Sequence, residues 1–290
     1  MNVLTIDFEH PKAGEQLVTS LHKTGFAILR NHSIQKRLLD DIYRDWQVFF
    51  DGDEKYQYMH STNSDKDIQD GFYPLEVSEK AVGAMYKDIK EFYHVVPGGR
   101  IPANLAANIF AYRDQAMAMG RELLTWVQRH TPQNVSELFS EPVADVLSDR
   151  ATLLRILHYP KLAQRLSAKN VPAKLRAAPH EDINFLTILP VAREPGLQVK
   201  SKSDEWLDLQ GFEGDLIVNN GDMLQEASGG YFPSTTHRVI NPTGGGSNVS
   251  RISMPTFLTP HLQFVLSERY TAGSYLRERL DLIAGDCSEG

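Results

Sequence analysis

Two residue types that commonly bind metal ions, His180 and Asp182, stand two positions apart in the sequence. On an extended backbone the side chains of residues i and i+2 share a face, so both are predicted to point the same way and Glu181 the opposite way. A third ligand must come from a distant strand, and His237 is available there. Two imidazoles and one carboxylate on one side of a metal ion leave positions open for reactants.

This set of ligands is typical of non-haem Fe(II) oxygenases. Metal hydrolases use similar residues, and an isolated His-x-Asp triplet beside a strand is often structural. The three residues alone therefore predict a metal site with open positions but do not decide its reaction.

A second pair of residues, Arg251 and Ser253, follows His237 and again has the spacing of one strand face. A guanidinium fork beside a hydroxyl is suited to hold a carboxylate through charge-assisted hydrogen bonds. Taken alone, an Arg-x-Ser pair is usually a surface feature of a strand. Its position after a strand histidine indicates a larger pattern, in which a ligand with a carboxylate lies beside a metal ion.

The composition narrows the classes of function. The chain has 290 residues, a formal net charge of −7 and one cysteine, Cys287. One cysteine excludes an intramolecular disulfide framework and any multi-cysteine zinc or iron–sulfur site, and the acidic balance does not favour nucleic-acid binding. The first residues lack the apolar core of a secretory signal, and no apolar run of about 18 residues predicts a membrane span. We therefore expect a cytoplasmic protein with neither membrane nor nucleic acid as a partner.

The elements that must position these residues differ between the two halves of the chain. Residues 1–150 are mostly helical in pattern, with a short strand predicted at 26–29 and a polar loop at 51–70. Apolar residues recur at spacings of three and four in several stretches. They predict helices between Pro11 and Gly25, over 34–49 and over 105–129.

After about residue 150, short apolar stretches separated by turn residues predict strands. The predicted strands cover 153–158, 183–189, 196–199, 205–209, 215–219, 236–240 and 251–258, and a last helix covers 272–283. Strands that do not alternate with long helices favour a β-sandwich or barrel over a doubly wound sheet. Because no clear linker divides the chain, we expect one domain with a helical N-terminal part packed on a β core.

In these motifs and in the order of its predicted elements, the sequence resembles the isopenicillin N synthase-like branch of the 2-oxoglutarate-dependent Fe(II) dioxygenases. An ordered set of motifs carries the resemblance, and it runs through most of the C-terminal half. The matching segments are 154–160, 180–182, 185–189, 196–199, Trp206, 219–222, 234–239, 251–253 and Phe257, with looser matches at 24–26 and 88–94.

The resemblance implies a mainly β fold with helices, in which a double-stranded β-helix (jelly-roll) core has flanking N-terminal helices and a C-terminal helix. It implies a single dioxygenase domain over 1–290, with a helical part at 1–150, the jelly-roll core at 151–262 and a C-terminal helix and tail at 263–290. Its implied iron ligands and catalytic residues are His180, Asp182 and His237. Its implied contacts for the distal carboxylate of 2-oxoglutarate are Arg251, Ser253 and Tyr159.

The implied activity is the oxidation of a small molecule with Fe(II), 2-oxoglutarate and O2, which yields succinate and CO2. Hydroxylation is the leading reaction, and other members of the family desaturate or close rings. Two alternatives are a non-catalytic 2-oxoglutarate sensor on the same fold and an oxidase of the isopenicillin N synthase kind that does not use 2-oxoglutarate. The Arg251 and Ser253 pair argues against the second alternative.

Two departures from the family pattern affect the predicted site. Relatives often carry an asparagine where this chain has Leu157, so a contact to the other end of the co-substrate is absent here. The stretch between His237 and Arg251 is longer than usual, and its glycine-rich part at 244–248 is predicted to be a long hairpin loop. Candidate residues of the substrate pocket are Phe72, Tyr73, Met223 and Tyr231.

Overall fold

The computed structural model describes most of the chain, namely residues 1–60, 70–77, 88–161, 175–241 and 248–288, with side chains as far as 283. The predicted loop at 51–70 contains a 3-10 helix, Glu54–Tyr58. The structure does not describe residues 61–69 of that loop or most of the glycine-rich loop. The side chain of Cys287 also lies outside the described residues. Among the helices of the described ranges, none combines the length and apolar character that a bilayer crossing requires.

The α-helices of the described residues flank the strands. They are α1 (Ala13–Thr24), α2 (Lys36–Asp51), α3 (Ala103–His130), α4 (Gln133–Ser136), α5 (Asp222–Ala227) and α6 (Ala272–Ser288). Helix α1 ends at Gly25, whose φ of 74° is left-handed and whose backbone N–H donates to Leu21 O; glycine adopts this conformation without steric cost. The four helices predicted from periodicity are confirmed as α1, α2, α3 and α6.

The strands of the described residues form two sheets. They are β1 (Thr5–Asp7), β2 (Phe26–Arg30), β3 (Gly71–Tyr73), β4 (Glu91–Val95), β5 (Leu153–Tyr159), β6 (Ala177–His180), β7 (Leu186–Pro190), β8 (Leu197–Lys200), β9 (Trp206–Asp208), β10 (Leu216–Asn220), β11 (His237–Val239), β12 (Arg251–Ser253) and β13 (Thr256–Leu258). The larger sheet has the order β1-β2-β10-β7-β13-β5-β4-β3, and β12 also pairs with β5. The smaller sheet has the order β6-β11-β8-β9.

Two apolar clusters hold these layers together. The interior cluster lies between the two sheets and draws buried side chains from both, including Phe26, Leu157, Leu197 and Val239. The larger cluster includes Trp46 and packs α1, α2 and α3 against the larger sheet. Two facing, largely antiparallel sheets with helices on one outer side form a jelly-roll fold, which confirms the predicted fold class.

The strand predicted at 251–258 is two strands in the structure. Strands β12 and β13 are separated by Met254 and Pro255. Proline has no backbone N–H to donate and is disfavoured within a ladder. Both pieces still pair with β5, and only β13 also pairs with β7.

The strand predicted at 183–189 begins later, at Leu186. The backbone just before it serves other partners, because Ile183 O and Asn184 O both accept from the N–H of Met223 at the start of α5. Phe185 N donates to Leu258 O. The residues after Asp182 therefore form a connection that ties the smaller sheet to α5 and β13.

The N-terminal part contains more strand than predicted. All five residues of β4 are buried, and the strand pairs along its whole length with β5. A strand buried on both faces has no polar alternation, so periodicity does not distinguish it from a buried helical turn. The missed strand matters because it forms part of the wall of the interior.

Gly221 provides a test of the packing beside Asp182. A methyl group at this position would overlap the backbone carbonyl and the side-chain oxygen of Asn184. We expect Gly221→Ala to lower the free energy of unfolding by about 1–3 kcal/mol, as overpacking generally does, in a denaturant titration. Gly52→Ala is the control, because a Cβ there stays 3.3 Å from its nearest neighbour. Equal losses for the two variants would contradict the predicted overlap.

Candidate active site

The three predicted metal ligands come together at one end of the smaller sheet. His180 ends β6 and His237 begins β11, and the two are direct partners in the antiparallel pair. One ligand atom from each of His180, Asp182 and His237 lies within 4.8 Å of the others. Asp182 Oδ1 is 3.9 Å from His180 Nε2 and 3.7 Å from His237 Nε2. The structure therefore assembles the ligand set that the sequence predicted.

Backbone carbonyl groups set the orientation of both imidazoles. His180 Nδ1 lies 2.8 Å from Ala178 O, and His237 Nδ1 lies 3.1 Å from Thr235 O. Because a carbonyl oxygen only accepts, these contacts assign the proton of each ring to Nδ1. Each Nε2 then presents its lone pair to the space beside Asp182, as a metal ligand must.

The larger sheet holds the carboxylate of Asp182. Its Oδ2 accepts hydrogen bonds from Thr187 Oγ1 of β7 at 2.5 Å and from Asn219 Nδ2 of β10 at 2.8 Å. Burial alone would raise the pKa of this carboxyl, but the two histidines and the two hydrogen bonds outweigh it, and the pKa lies below its ordinary value. Asp182 is therefore charged at neutral pH, with Oδ1 left to face the histidines.

His180 is neutral under the same conditions. Partial burial lowers the pKa of its imidazole below the ordinary value, and the positive charge of Lys90 acts in the same direction. Lys90 forms a buried ion pair of 2.8 Å with Asp88, and Asp88 Oδ1 accepts the backbone N–H of Ala178 in β6 at 2.8 Å. This ion pair thus both fixes the strand that carries His180 and favours the metal-binding form of the ring.

This donor set fits Fe(II). Two imidazole nitrogens and one buried carboxylate oxygen converge from one side, which is the facial arrangement that leaves coordination positions for reactants. Glu181 is not part of it, because its carboxylate accepts a hydrogen bond from Thr236 Oγ1 and is exposed. The predicted alternation of side chains across 180–182 is therefore confirmed.

The three predicted 2-oxoglutarate contacts lie on adjacent strands of the larger sheet. In the pairing of β12 with β5, Arg251 is opposite Tyr159 and Ser253 is opposite Leu157. All four side chains are buried. Leu157 belongs to the interior cluster, so the position where relatives carry an asparagine is apolar packing in this chain.

Arg251 keeps hydrogen-bonding capacity inside the protein. Its Nη1 donates to Pro195 O at 2.8 Å, while its buried Nε has no hydrogen-bond partner in the part of the chain that the structure describes. Burial lowers the pKa of this guanidinium and raises the pKa of the Tyr159 phenol. The phenol therefore stays protonated at neutral pH, and a carboxylate would satisfy both the charge and the unused donor of Arg251.

A cavity of ≈ 520 Å³ lies between the two sheets and meets the predicted site at Arg251. Its walls come from both sheets and include Arg176, Leu189, Leu197 and Ile217. The three predicted metal ligands do not line it, so this cavity extends the interior beyond Arg251 and is not the predicted metal site itself.

Of the four candidate pocket residues, Tyr73 is the one that packs against the interior cluster. Phe72 and Met223 are fully buried in the larger cluster on the helical side. Tyr231 stacks on His22 at a ring-centre distance of 3.9 Å, and also packs against the larger cluster. The structure thus does not bring these four residues together.

Tyr73, a predicted pocket residue, belongs to a wall of stacked side chains whose other members sequence reasoning missed. Its ring stacks on Phe92 at 4.6 Å, and the guanidinium carbon of Arg155 lies 4.6 Å from the centre of the Phe92 ring. Arg155 Nε also donates to His94 Nε2 at 2.9 Å. Phe92, His94 and Arg155 were visible only as parts of family-like segments, as were Thr187 and Asn219. Nothing local in the sequence indicates their contacts.

Comparison with known proteins decides the family. The sequence model of the 2OG-Fe(II) oxygenase superfamily matches residues 151–260. The sequence model of the N-terminal region of non-haem dioxygenases in morphine synthesis matches residues 3–106. A crystal structure of a Shewanella oneidensis protein described as an oxygenase is 48% identical, with a TM-score of 0.85, and covers 97% of this chain and 98% of that chain. The chain belongs to the 2-oxoglutarate–Fe(II) oxygenase superfamily.

As a member of this superfamily the protein is a 2-oxoglutarate-dependent dioxygenase that uses Fe(II), 2-oxoglutarate and O2. A feruloyl CoA ortho-hydroxylase of Ipomoea batatas is 27% identical over 260 residues, which are 86% of this chain and 67% of that protein. A full-length Neurospora crassa protein, crystallised with alpha-KG and thymine, shares the fold, with 23% identity, a TM-score of 0.76 and 96% coverage of both chains. Both are described with small molecules.

The hydrogen bond from Thr187 to Asp182 can be tested separately from the ligands themselves. We expect Thr187→Val to weaken metal binding by about tenfold to a hundredfold, since outer partners of metal ligands generally contribute that much. Calorimetric titration of the metal-free protein with Mn(II) measures it. Thr125→Val removes a hydroxyl that bonds to Arg121 O on the exposed side of α3 and should leave the affinity unchanged. Equal affinities for Thr187→Val and the wild type would contradict this role.

Proposed function

We propose that the protein hydroxylates a small molecule, with His180, Asp182 and His237 as the ligands of Fe(II). The observation that carries the proposal is the convergence of three donor atoms within 4.8 Å in an oxygenase jelly-roll. The Nδ1 protons are held by backbone carbonyls and one carboxylate oxygen is held by Thr187 and Asn219. The remaining lone pairs all face one point.

In this proposal, Arg251, Ser253 and Tyr159 hold the distal carboxylate of 2-oxoglutarate. Each is buried, so the ion pair with Arg251 forms away from bulk water, where it is strong. The protonated phenol of Tyr159 and the hydroxyl of Ser253 can each donate to a carboxylate oxygen. Iron bound to the three ligands would supply the activation of O2, coupled to conversion of 2-oxoglutarate into succinate and CO2.

The substrate in this proposal has a flat, unsaturated part. In the wall formed by Tyr73, Phe92, His94 and Arg155, the rings of Tyr73 and Phe92 stack on each other and Arg155 lies over Phe92. The faces are therefore used within the wall, and the ring edges are left for an edge-to-face contact with a planar group. Relatives described as a feruloyl CoA hydroxylase and as a scopoletin hydroxylase support a small molecule of this kind.

The proposal also treats the chain as one dioxygenase domain. The helices of 1–150 cover the larger sheet, and the core at 151–262 carries all six proposed site residues. Residues 263–290 contribute α6, where Tyr275 donates its hydroxyl to Asp222 in α5 at 3.1 Å. Helix α5 in turn contacts the connection after Asp182, so the C-terminal helix supports the site indirectly.

Anaerobic addition of Fe(II) and then 2-oxoglutarate tests the proposed site directly. A metal-to-ligand charge-transfer band should appear only when both are present, because it requires the keto acid to bind the metal. Screening a metabolite library for substrate-dependent succinate formation, with aromatic and heterocyclic compounds as one group, then addresses the substrate. Absence of the band at saturating concentrations of both would contradict the proposal.

Replacement of the metal ligands has a definite expected outcome. His180→Ala and Asp182→Ala should each abolish succinate formation and the charge-transfer band, because only two donors would remain. His261→Ala is the control, since His261 is a half-exposed histidine that pairs with Glu141. Full succinate formation by either ligand variant at matched Fe(II) would overturn the ligand assignment.

Replacement of Arg251 should separate co-substrate binding from metal binding. We expect Arg251→Ala to raise the 2-oxoglutarate concentration for half-maximal turnover by about tenfold to a hundredfold, because the variant loses one charge-assisted hydrogen bond. The affinity for Mn(II) should be retained. Arg44→Ala, on the exposed side of α2, is the control. An unchanged requirement for 2-oxoglutarate would place the co-substrate elsewhere.

A further inference from the structure

A second buried arginine shares the cavity with Arg251. Arg176 lies just before β6 and is 1% exposed, compared with 3% for Arg251, and both line the cavity. The guanidinium carbon of Arg176 lies 5.9 Å from the centre of the Tyr159 ring, and Tyr159 is the residue directly opposite Arg251. The two guanidinium groups and the phenol therefore surround the same part of the interior.

Within the described ranges, neither guanidinium uses all of its donors. Arg176 Nη2 donates to Val249 O at 2.6 Å, and Arg251 Nη1 donates to Pro195 O at 2.8 Å. The Nε of each arginine is buried and has no hydrogen-bond partner among the described residues. A guanidinium carries five N–H donors and no acceptor, so each of these arginines keeps donors that a carboxylate in the cavity beside it could satisfy.

The charges of the two arginines oppose each other. Burial lowers the pKa of Arg176, and the charge of Arg251 lowers it further. Glu194, a half-buried residue of the cavity wall, favours both positive charges. The two hydrogen bonds above go to neutral carbonyl groups and do not compensate charge. Two like charges held together away from water destabilise each other, and an anion between them removes that cost.

We propose that Arg176 is a second cationic contact for the distal carboxylate of 2-oxoglutarate, which is then held between Arg176 and Arg251. This inference rests on the proposed role of Arg251 at the same site. A carboxylate has two oxygens with enough lone pairs to accept from both guanidinium groups and from Tyr159. The second arginine makes the site selective for keto acids that end in a carboxylate over keto acids of equal length that do not.

Two ligands that differ only at the distal end test this role. Mn(II)-loaded protein, which binds the keto acid without turnover, is titrated calorimetrically with 2-oxoglutarate and with 2-oxopentanoate, whose five-carbon chain ends in a methyl group. We expect Arg176→Met to lose about tenfold to a hundredfold in affinity for 2-oxoglutarate and to keep the wild-type affinity for 2-oxopentanoate. Arg193→Met is the matched control, because Arg193 lines the same cavity but is half exposed and pairs with Asp40. It should bind both ligands as the wild type does.

The outcomes separate this inference from the function on which it rests. Unchanged 2-oxoglutarate affinity in Arg176→Met, or an equal loss for both ligands, would overturn the role of Arg176. A wild-type protein that binds Mn(II) but not 2-oxoglutarate would instead overturn the proposed function of the site. Arg176→Lys keeps the charge without the planar fork and should lose less 2-oxoglutarate affinity than Arg176→Met. Thermal melting shows whether Arg176→Met folds. If it does not fold, Arg176→Lys is used instead, and its affinity for 2-oxoglutarate is divided by its affinity for 2-oxopentanoate. A ratio equal to that of the wild type would contradict the proposal.

Discussion

The pairing of β6 with β11 is the constraint on which the proposed chemistry depends. Antiparallel pairing places His180 directly opposite His237, and a shift of this register by one residue would turn one of the two rings to the other face of the sheet. Asp182 completes the set only because Thr187 and Asn219, from the other sheet, hold its second oxygen. The proposed metal site therefore bridges both sheets, and its geometry exists only when the whole jelly-roll has formed.

The interior carries more charge than a core built for stability would. Arg176, Arg251 and Asp182 are buried, as is the ion pair of Lys90 with Asp88. Buried charges are costly unless they are paired, and replacing them by apolar residues often stabilises a protein. Their presence makes physical sense if a metal ion and a dianionic co-substrate occupy the space between them. The Lys90 pair has a further role, because Asp88 fixes the backbone of β6.

Much of this architecture could be predicted from the sequence. Periodicity located the main helices, and turn residues separated most of the core strands, because both signals arise from neighbouring residues. Strand β4 escaped prediction because all of its residues are buried, and the strand at 251–258 was predicted without regard to the missing N–H of Pro255. The start of β7 was misplaced because the backbone before Leu186 bonds to α5 and β13, which local sequence does not reveal.

By itself, the sequence determined the types and order of the proposed site residues, since ligand chemistry and i, i+2 spacing are local properties. Tertiary structure decided which nitrogen of each histidine faces the metal, which oxygen of Asp182 is left for it, and that Arg176 joins Arg251 in one cavity. It also separated Tyr73 from the other pocket candidates. These outcomes depend on pairing and packing between segments far apart in the chain, and such contacts leave no periodic or compositional signal.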